Sequence, residues 1–231
     1  MSSMTSPPHS DTPPSNSRPS HAPARRGTAG SVQPAKAAAG AEPASDVRER
    51  ILGTASRLFY ERGVRAVGVD LVVLEAAVAK TSLYRYFPTK DDLIVAFLER
   101  EDRDFWALWD SVAATHPDDP AAELRAHMHW IAERLARSNY RGCPQINVAA
   151  EFAEQDHPAR RFSQQHMQNM RNRLHDTAER LGTTRPDELA AQLALLINGA
   201  FVSSALLTAE EAGGVLLGAA KALVDGAQDN R

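Results

Sequence analysis

The sequence predicts an all-α protein of about nine helices: a small N-terminal helix-turn-helix unit followed by a larger helical domain. Three observations carry this. No stretch alternates apolar and polar residues with the period of two that a strand requires. Apolar residues instead recur three and four apart from Val47 onward. Prolines stand where segments open (Pro144, Pro158, Pro186) and glycines where they close (Gly63, Gly182), as helix capping favours.

Residues 1–45 are rich in Pro, Ser and Ala. So polar a segment buries too little apolar surface to offset its ordering entropy, and a disordered tail is expected there. Val47, Ile51, Leu52, Ala55, Leu58 and Phe59 stripe a first helix, capped by Ser45 or Asp46 and ended by Gly63. A second covers Val69 to Glu75. Ala76-Ala77-Val78 is a turn, and a third helix follows from Ala79 to Phe87. Pro88-Thr89 interrupts the chain and restarts it, with Thr89 as N-cap and Asp91-Asp92 at the positive end of the new helix dipole. The fourth helix is long and keeps Leu93, Phe97, Phe105, Leu108, Trp109 and Val112 on one face. Leu124, Met128, Ile131 and Leu135 stripe the fifth, which stops before Gly142. The sixth runs from Pro144 through Phe152, and the seventh from Pro158 to Leu181. The eighth opens at Pro186, and the ninth spans about Ala212 to Ala227. The implied organisation is a tail at 1–45, a helix-turn-helix domain at 46–92 and a second domain at 93–231.

Composition narrows the function. Of 231 residues, 43% are apolar and 24% charged, ordinary for a globular protein. A single cysteine, Cys143, excludes an intramolecular disulfide framework and suits a reducing, cytoplasmic setting. No apolar run of the ~20 residues needed to span a membrane is expected, nor a secretory leader. Net charge is −3, but unevenly spread. Residues 46–100 hold nine basic against eight acidic groups, while 101–231 hold 13 against 19. Positive balance in the first hundred residues favours a nucleic-acid contact there and none beyond. No catalytic constellation, Gly-rich phosphate loop or cofactor motif stands out. His127, His129, Cys143 and His166 include no pair at helical i, i+4 spacing, so no metal is expected.

The richest stretch is Thr81-Ser82-Leu83-Tyr84-Arg85-Tyr86-Phe87-Pro88-Thr89-Lys90. Its cations, hydroxyls and tyrosines suit phosphates and base edges, and it follows a turn-linked apolar helix, as in a helix-turn-helix. Together with Ile51-Leu52, Leu58-Phe59, Gly63, Val69, Val78, Lys80 and Asp91-Asp92-Leu93, it resembles the N-terminal domain of the TetR family of transcriptional regulators over roughly residues 47–98. Arg141-Gly142-Cys143-Pro144, Asn147 and Glu151 are similar to a pattern seen in one branch of that family. Two departures stand out. Ala77 replaces the usual turn glycine, at a cost of about 1 kcal/mol of left-handed strain. Ala79 cannot cap the third helix, leaving Thr81 or Ser82 to serve its free amides.

The resemblance implies that Lys80, Thr81, Ser82, Tyr84 and Arg85 face the major groove, while Tyr86 and Lys90 grip phosphates. Leu83 and Phe87 lie on the opposite face, in the core. For the second domain it implies effector binding and dimerisation. Phe105, Trp109, Met128, Ile131, Met167 and Met170 are expected to wall a pocket, with His127, Asn147 and Glu151 as its polar groups. Leu189, Leu193, Leu196, Ile197 and Leu207 cover more than one face of the eighth helix, and Val215, Leu216, Ala219, Ala220 and Leu223 do the same on the ninth. The second stripe needs a partner, so a homodimer through the last two helices is expected, with Ala200 and Ala220 in its seam. The resulting reading is a repressor released from a palindromic double-stranded operator by a small apolar or aromatic effector. The alternative is a helix-turn-helix DNA-binding protein without an effector.

Overall fold

The computed structural model describes residues 44–229; the expected tail, apart from Ala44 and Ser45, lies outside the described residues. The described residues form nine α-helices and a 3₁₀ turn, with no strand among them. In order these are α1 (Ala44–Arg62), α2 (Val69–Glu75), α3 (Lys80–Tyr86), α4 (Lys90–Ala113), α5 (Pro120–Leu135), α6 (Pro144–Glu151), α7 (Pro158–Leu181), α8 (Pro186–Val202), the turn Ser203–Ala205 and α9 (Ala209–Asp229).

Several boundaries differ from expectation for local chemical reasons. α1 begins at Ala44, so Ser45 and Asp46 stand in its first turn instead of capping it. α9 begins three residues earlier than expected. The Thr208 Oγ1 accepts the Glu211 amide at 3.2 Å, and the Glu211 carboxylate accepts the Thr208 amide at 2.8 Å. That reciprocal capping box is a Thr-x-x-Glu signal that periodicity alone passes over. Thr89 and Asp92 form the same device at the start of α4.

Two apolar clusters share one rod. The first gathers Ile51, Leu58, Phe59, Val72, Leu83 and Phe87 from α1–α3 with Leu93, Ile94, Phe97 and Leu98 from the first half of α4. Val148 of α6 and Ala159 of α7 complete it. The second joins Phe105 and Trp109, further along α4, to Leu124, Met128 and Ile131 of α5, Met170 and Leu174 of α7, and Ile197 and Phe201 of α8. Phe97 and Phe105 are two turns apart on one helix, so any tilt of α4 is felt in both cores.

Three expectations are corrected. Leu108, assigned to the buried stripe of α4, is 41% exposed, because it lies beside that stripe and not on it. A window of membrane-spanning length does exist: Pro186–Ala205 has a mean hydropathy of 1.3. Its apolar excess splits between two faces, Leu189, Leu193, Ile197 and Phe201 inward and Leu195 and Val202 outward. Ala220, assigned to a dimer seam, is buried within the chain's own core, so an arginine there breaks the protomer first.

Ala77 sits at φ +52, the one non-glycine residue in the left-handed region among the described residues. Neither Thr81 nor Ser82 replaces the missing cap of α3, whose N-cap Ala79 offers no side-chain bond. Ala77→Gly should therefore raise stability by up to about 1 kcal/mol, since the relieved strain exceeds the added chain entropy. Urea unfolding monitored by circular dichroism measures it, and a lowered midpoint would contradict the strain argument.

Candidate nucleic-acid interface and its link to the helical core

α3 presents one face outward. Leu83 and Phe87 are buried, which fixes the rotation of the helix and turns Lys80, Thr81, Tyr84 and Arg85 to solvent. Ser82 and Tyr86 are half-buried. Lys80 forms an ion pair with Asp70 of α2 at 2.6 Å, tying the two helices across the turn. Lys90, in the first turn of α4, is half-buried, and its pKa is lowered by desolvation against the pull of Glu151. The seven residues expected to meet DNA thus fall into an outward group of four and a flanking group of three. The Arg48 guanidinium lies over the Phe87 ring, 5.2 Å from its centroid, bracing the end of α3 from α1.

Behind this surface lies a polar joint. The Glu151 carboxylate, at the end of α6, accepts the backbone amides of Val64 and Arg65 at 3.0 and 2.7 Å. The Arg65 guanidinium donates back to the Glu151 carbonyl at 3.0 Å. Tyr60 Oη donates to the Gly142 carbonyl at 3.2 Å and accepts the Arg141 amide at 2.8 Å. Arg141 in turn donates to the Tyr60 carbonyl at 2.9 Å, and Asn147 Nδ2 to the Arg141 carbonyl at 2.9 Å. Gln145, buried, donates to the Leu98 carbonyl of α4 at 3.1 Å. Two glycines make this possible. Gly63 has φ +88, and a Cβ there would meet Glu151 Oε1 at 2.9 Å; Gly142 has φ +97, and its Cβ would meet Asn147 Nδ2 at 3.1 Å.

Asn147 and Glu151 therefore do not join the aromatic core for which the sequence nominated them. α6 sends Val148 into the N-terminal cluster, and that rotation turns Asn147 and Glu151 toward α1 and its following loop. The Arg141-Gly142-Cys143-Pro144 pattern was the visible trace of this joint; Tyr60 and Arg65 carried no such signal.

Phe105, Trp109, Met128, Ile131 and Met170 do come together, all buried, with Met167 half-buried against them. His127 stacks on Trp109 with ring centroids 3.8 Å apart, and its Nε2 faces the Trp109 carbonyl at 3.1 Å. Burial pushes its pKa down to about 4. A second histidine, His166, packs in the same aromatic group, its ring centroid 5.1 Å from those of Phe105 and Trp106. His166 Nδ1 is 2.6 Å from Asp102 Oδ1, which also accepts the Trp106 indole at 2.7 Å. Desolvation lowers the His166 pKa against the attraction of Asp102. His166 Nε2 is buried and makes no hydrogen bond among the described residues. A molecule carrying a complementary polar group would satisfy a nitrogen that the protein leaves bare.

Cys143 is buried and its thiol is pushed up by desolvation, which outweighs the amides at the start of α6. A cluster the sequence reading passed over, His175, Asp176 and Glu179, brings its ligand atoms within 4.8 Å on an exposed face of α7.

Two outcomes follow from this geometry. Glu151→Ala should destabilise the protein by on the order of 2 kcal/mol, since two backbone donors lose a charged acceptor, and Glu151→Gln should recover part of it; urea titration measures both. Stability should also fall as pH drops from about 6.5 toward 4. The unfolded His127 takes up a proton across that range while the folded one stays neutral, so the loss reaches on the order of 3 kcal/mol. His127→Gln should flatten the slope, with His166 responsible for the remainder.

Comparison with known proteins agrees with this architecture. Residues 51–97 match the family described as bacterial regulatory proteins, tetR family, and residues 120–212 match the transcriptional regulator LmrA/YxaF-like C-terminal domain. The chain is similar to the transcriptional regulator AcuR of Cereibacter sphaeroides, 32% identical over 114 residues, which are 49% of this chain and 52% of AcuR. It thus spans about half of that relative's length. It also resembles the uncharacterized HTH-type transcriptional regulator YxaF of Bacillus subtilis, 47% identical over 51 residues, 22% of this chain and 27% of YxaF. Among solved structures, a TetR-family transcriptional regulator from Streptomyces coelicolor superposes with a TM-score of 0.77 at 29% identity, covering 80% of this chain and 97% of that one. A TetR-type regulator from Streptomyces avermitilis gives 0.68 at 29% identity, over 80% and 99%. With both of its domains matched and the fold shared along nearly the full length of those structures, the chain belongs to the TetR family of transcriptional regulators.

Proposed function

We propose that this chain is a homodimeric, effector-responsive transcriptional repressor. Lys80, Thr81, Tyr84 and Arg85 read the major groove of each operator half-site, with Ser82, Tyr86 and Lys90 on the flanking phosphates. The observation that carries the reading is the continuity of α4. It starts at the Thr89 cap, immediately after the recognition helix, and ends in the aromatic core beside Trp109 and His127. A molecule entering that core changes the tilt of α4 and with it the spacing of the two recognition helices. The switch requires the effector to favour the state that does not fit DNA.

The dimer forms through the outward faces of α8 and α9. Leu195 is 74% exposed, Val202 56% and Val215 59%, an apolar stripe that a lone protomer leaves in water. A two-fold pairing of this stripe presents two recognition helices to a palindromic site. A second reading, a DNA-binding regulator with no effector, draws on the close packing of Phe105, Trp109, Met128 and Met170.

Three measurements test the proposal. Sequencing DNA retained by the purified protein from its own genome supplies the operator. Arg85→Ala should weaken binding to it by roughly 1–3 kcal/mol, while Lys90→Ala should weaken all sequences alike and reduce the salt slope by about one; unchanged binding in both would sink the DNA assignment. Leu195→Arg should give a folded monomer by light scattering with operator binding lost, and a persistent dimer would move the interface elsewhere. A screen of apolar and aromatic compounds should find ones that shift tryptophan emission and release DNA together; compounds that do only the first would favour the effector-free reading.

A further inference from the structure

We propose that a cavity between α5 and α9, which shares its Met128 wall with the aromatic core, binds an apolar carboxylate, its tail inside and its anionic head at the mouth. The cavity measures about 230 Å³. Its walls are Leu124 and Met128 from α5 and Leu217, Ala220 and Val224 from α9. That volume lies between the ~150 Å³ that accepts benzene and the ~300 Å³ at which drug-sized sites begin, which suits a ligand of about ten heavy atoms. Gly218 borders the cavity at its exposed edge, where a Cβ would meet nothing within 4 Å.

The mouth is basic. Arg125, His129 and Lys221 line it, the first two one turn apart on α5. Lys221 is held by Asp225 one turn on, whereas the Arg125 side chain makes no hydrogen bond or ion pair among the described residues. An apolar interior under an uncommitted guanidinium selects a molecule that is apolar with one terminal negative charge, because the tail gains from leaving water and the head from a charge-assisted hydrogen bond. Neutral molecules of the same length gain only the first term. Most of the lining turns away from the proposed dimer stripe, with Gly218, three residues from Val215, at the border between them. Leu217 and Lys221 turn toward α5, while Val215 lies on the other side of the buried row Leu216, Ala220 and Val224.

Isothermal titration of the full chain with octanoate and with 1-octanol tests this, and needs neither DNA nor the effector of the aromatic core. Octanoate should bind about tenfold more tightly than octanol, the difference expected of one charged hydrogen bond. Arg125→Ala should remove that difference while sparing octanol. Gly218→Phe should abolish both, and its open surroundings keep the variant folded, as circular dichroism would verify. No octanoate binding, octanoate binding indifferent to Gly218→Phe, or equal affinity for acid and alcohol would each overturn the proposal.

Discussion

The Glu151 carboxylate is the group on which the arrangement of the N-terminal helices most depends. The loop between α1 and α2 has free amides at Val64 and Arg65, and α2 starts at Gly68 with no side-chain cap. Its course is thus set less by its own sequence than by an acceptor reaching in from α6. Charged acceptors on backbone amides are among the stronger hydrogen bonds in proteins. It also packs close against Gly63, whose φ of +88 side chains rarely adopt and whose added Cβ would come within 2.9 Å of Glu151 Oε1. The same segment reaches α1 again through Tyr60 and Arg141, and α4 through Gln145. α6 is therefore fastened to both the helix that precedes the DNA-reading pair and the one that follows it. A displacement of α6 cannot leave those two helices where they were.

How far this could be read from sequence depends on the range of the interaction. Helices whose limits are set locally were legible: α2 falls on Val69–Glu75 as expected, and Pro158, Gly182 and Thr89 mark their ends. α9 was misread because its limit lies in a side-chain pair, Thr208 with Glu211, and not in apolar spacing. The outward residues of α3 were legible because Leu83 and Phe87, four apart, fix which face is buried. That the aromatic residues of the second core cluster was legible, for they are large, apolar and in helical register. Glu151 was misassigned because its partners, the Val64 and Arg65 amides, lie more than 80 residues away, beyond anything periodicity reports, and Asn147 because it turns back to the Arg141 carbonyl that Tyr60 helps to hold. Asp102 escaped for the same reason: its link to His166 closes a gap of 64 residues.

The second core combines two features that rarely coexist without a use. It is close-packed and aromatic, yet it keeps His166 Nε2 without a partner among the described residues. An unmet polar atom in a low-dielectric interior destabilises the fold, and hydrophobic residues of similar size would have avoided that. Asp102 makes the arrangement directional. By engaging Nδ1 of His166 it leaves Nε2 as the nitrogen facing the rings, in one defined protonation form at neutral pH.

α9 shows how one helix can serve three contacts without conflict. Leu216, Ala220 and Val224 recur at four-residue spacing and enter the bundle core. Rotated to one side, Val215 continues the exposed stripe of Leu195 and Val202 on α8; rotated to the other, Leu217, Gly218 and Lys221 border α5. Each row is narrow, and this is possible because small residues (Gly214, Gly218, Ala219 and Ala222) occupy the boundaries between rows. Their lack of bulk keeps one contact from obstructing the next. The helical propensity lost to glycine is about 1 kcal/mol per residue, so retaining Gly214 and Gly218 in a 21-residue helix implies that the space they leave matters more than the helix they weaken. The proposed assembly and the proposed occupancy of the α5–α9 space therefore draw on different rows of one helix.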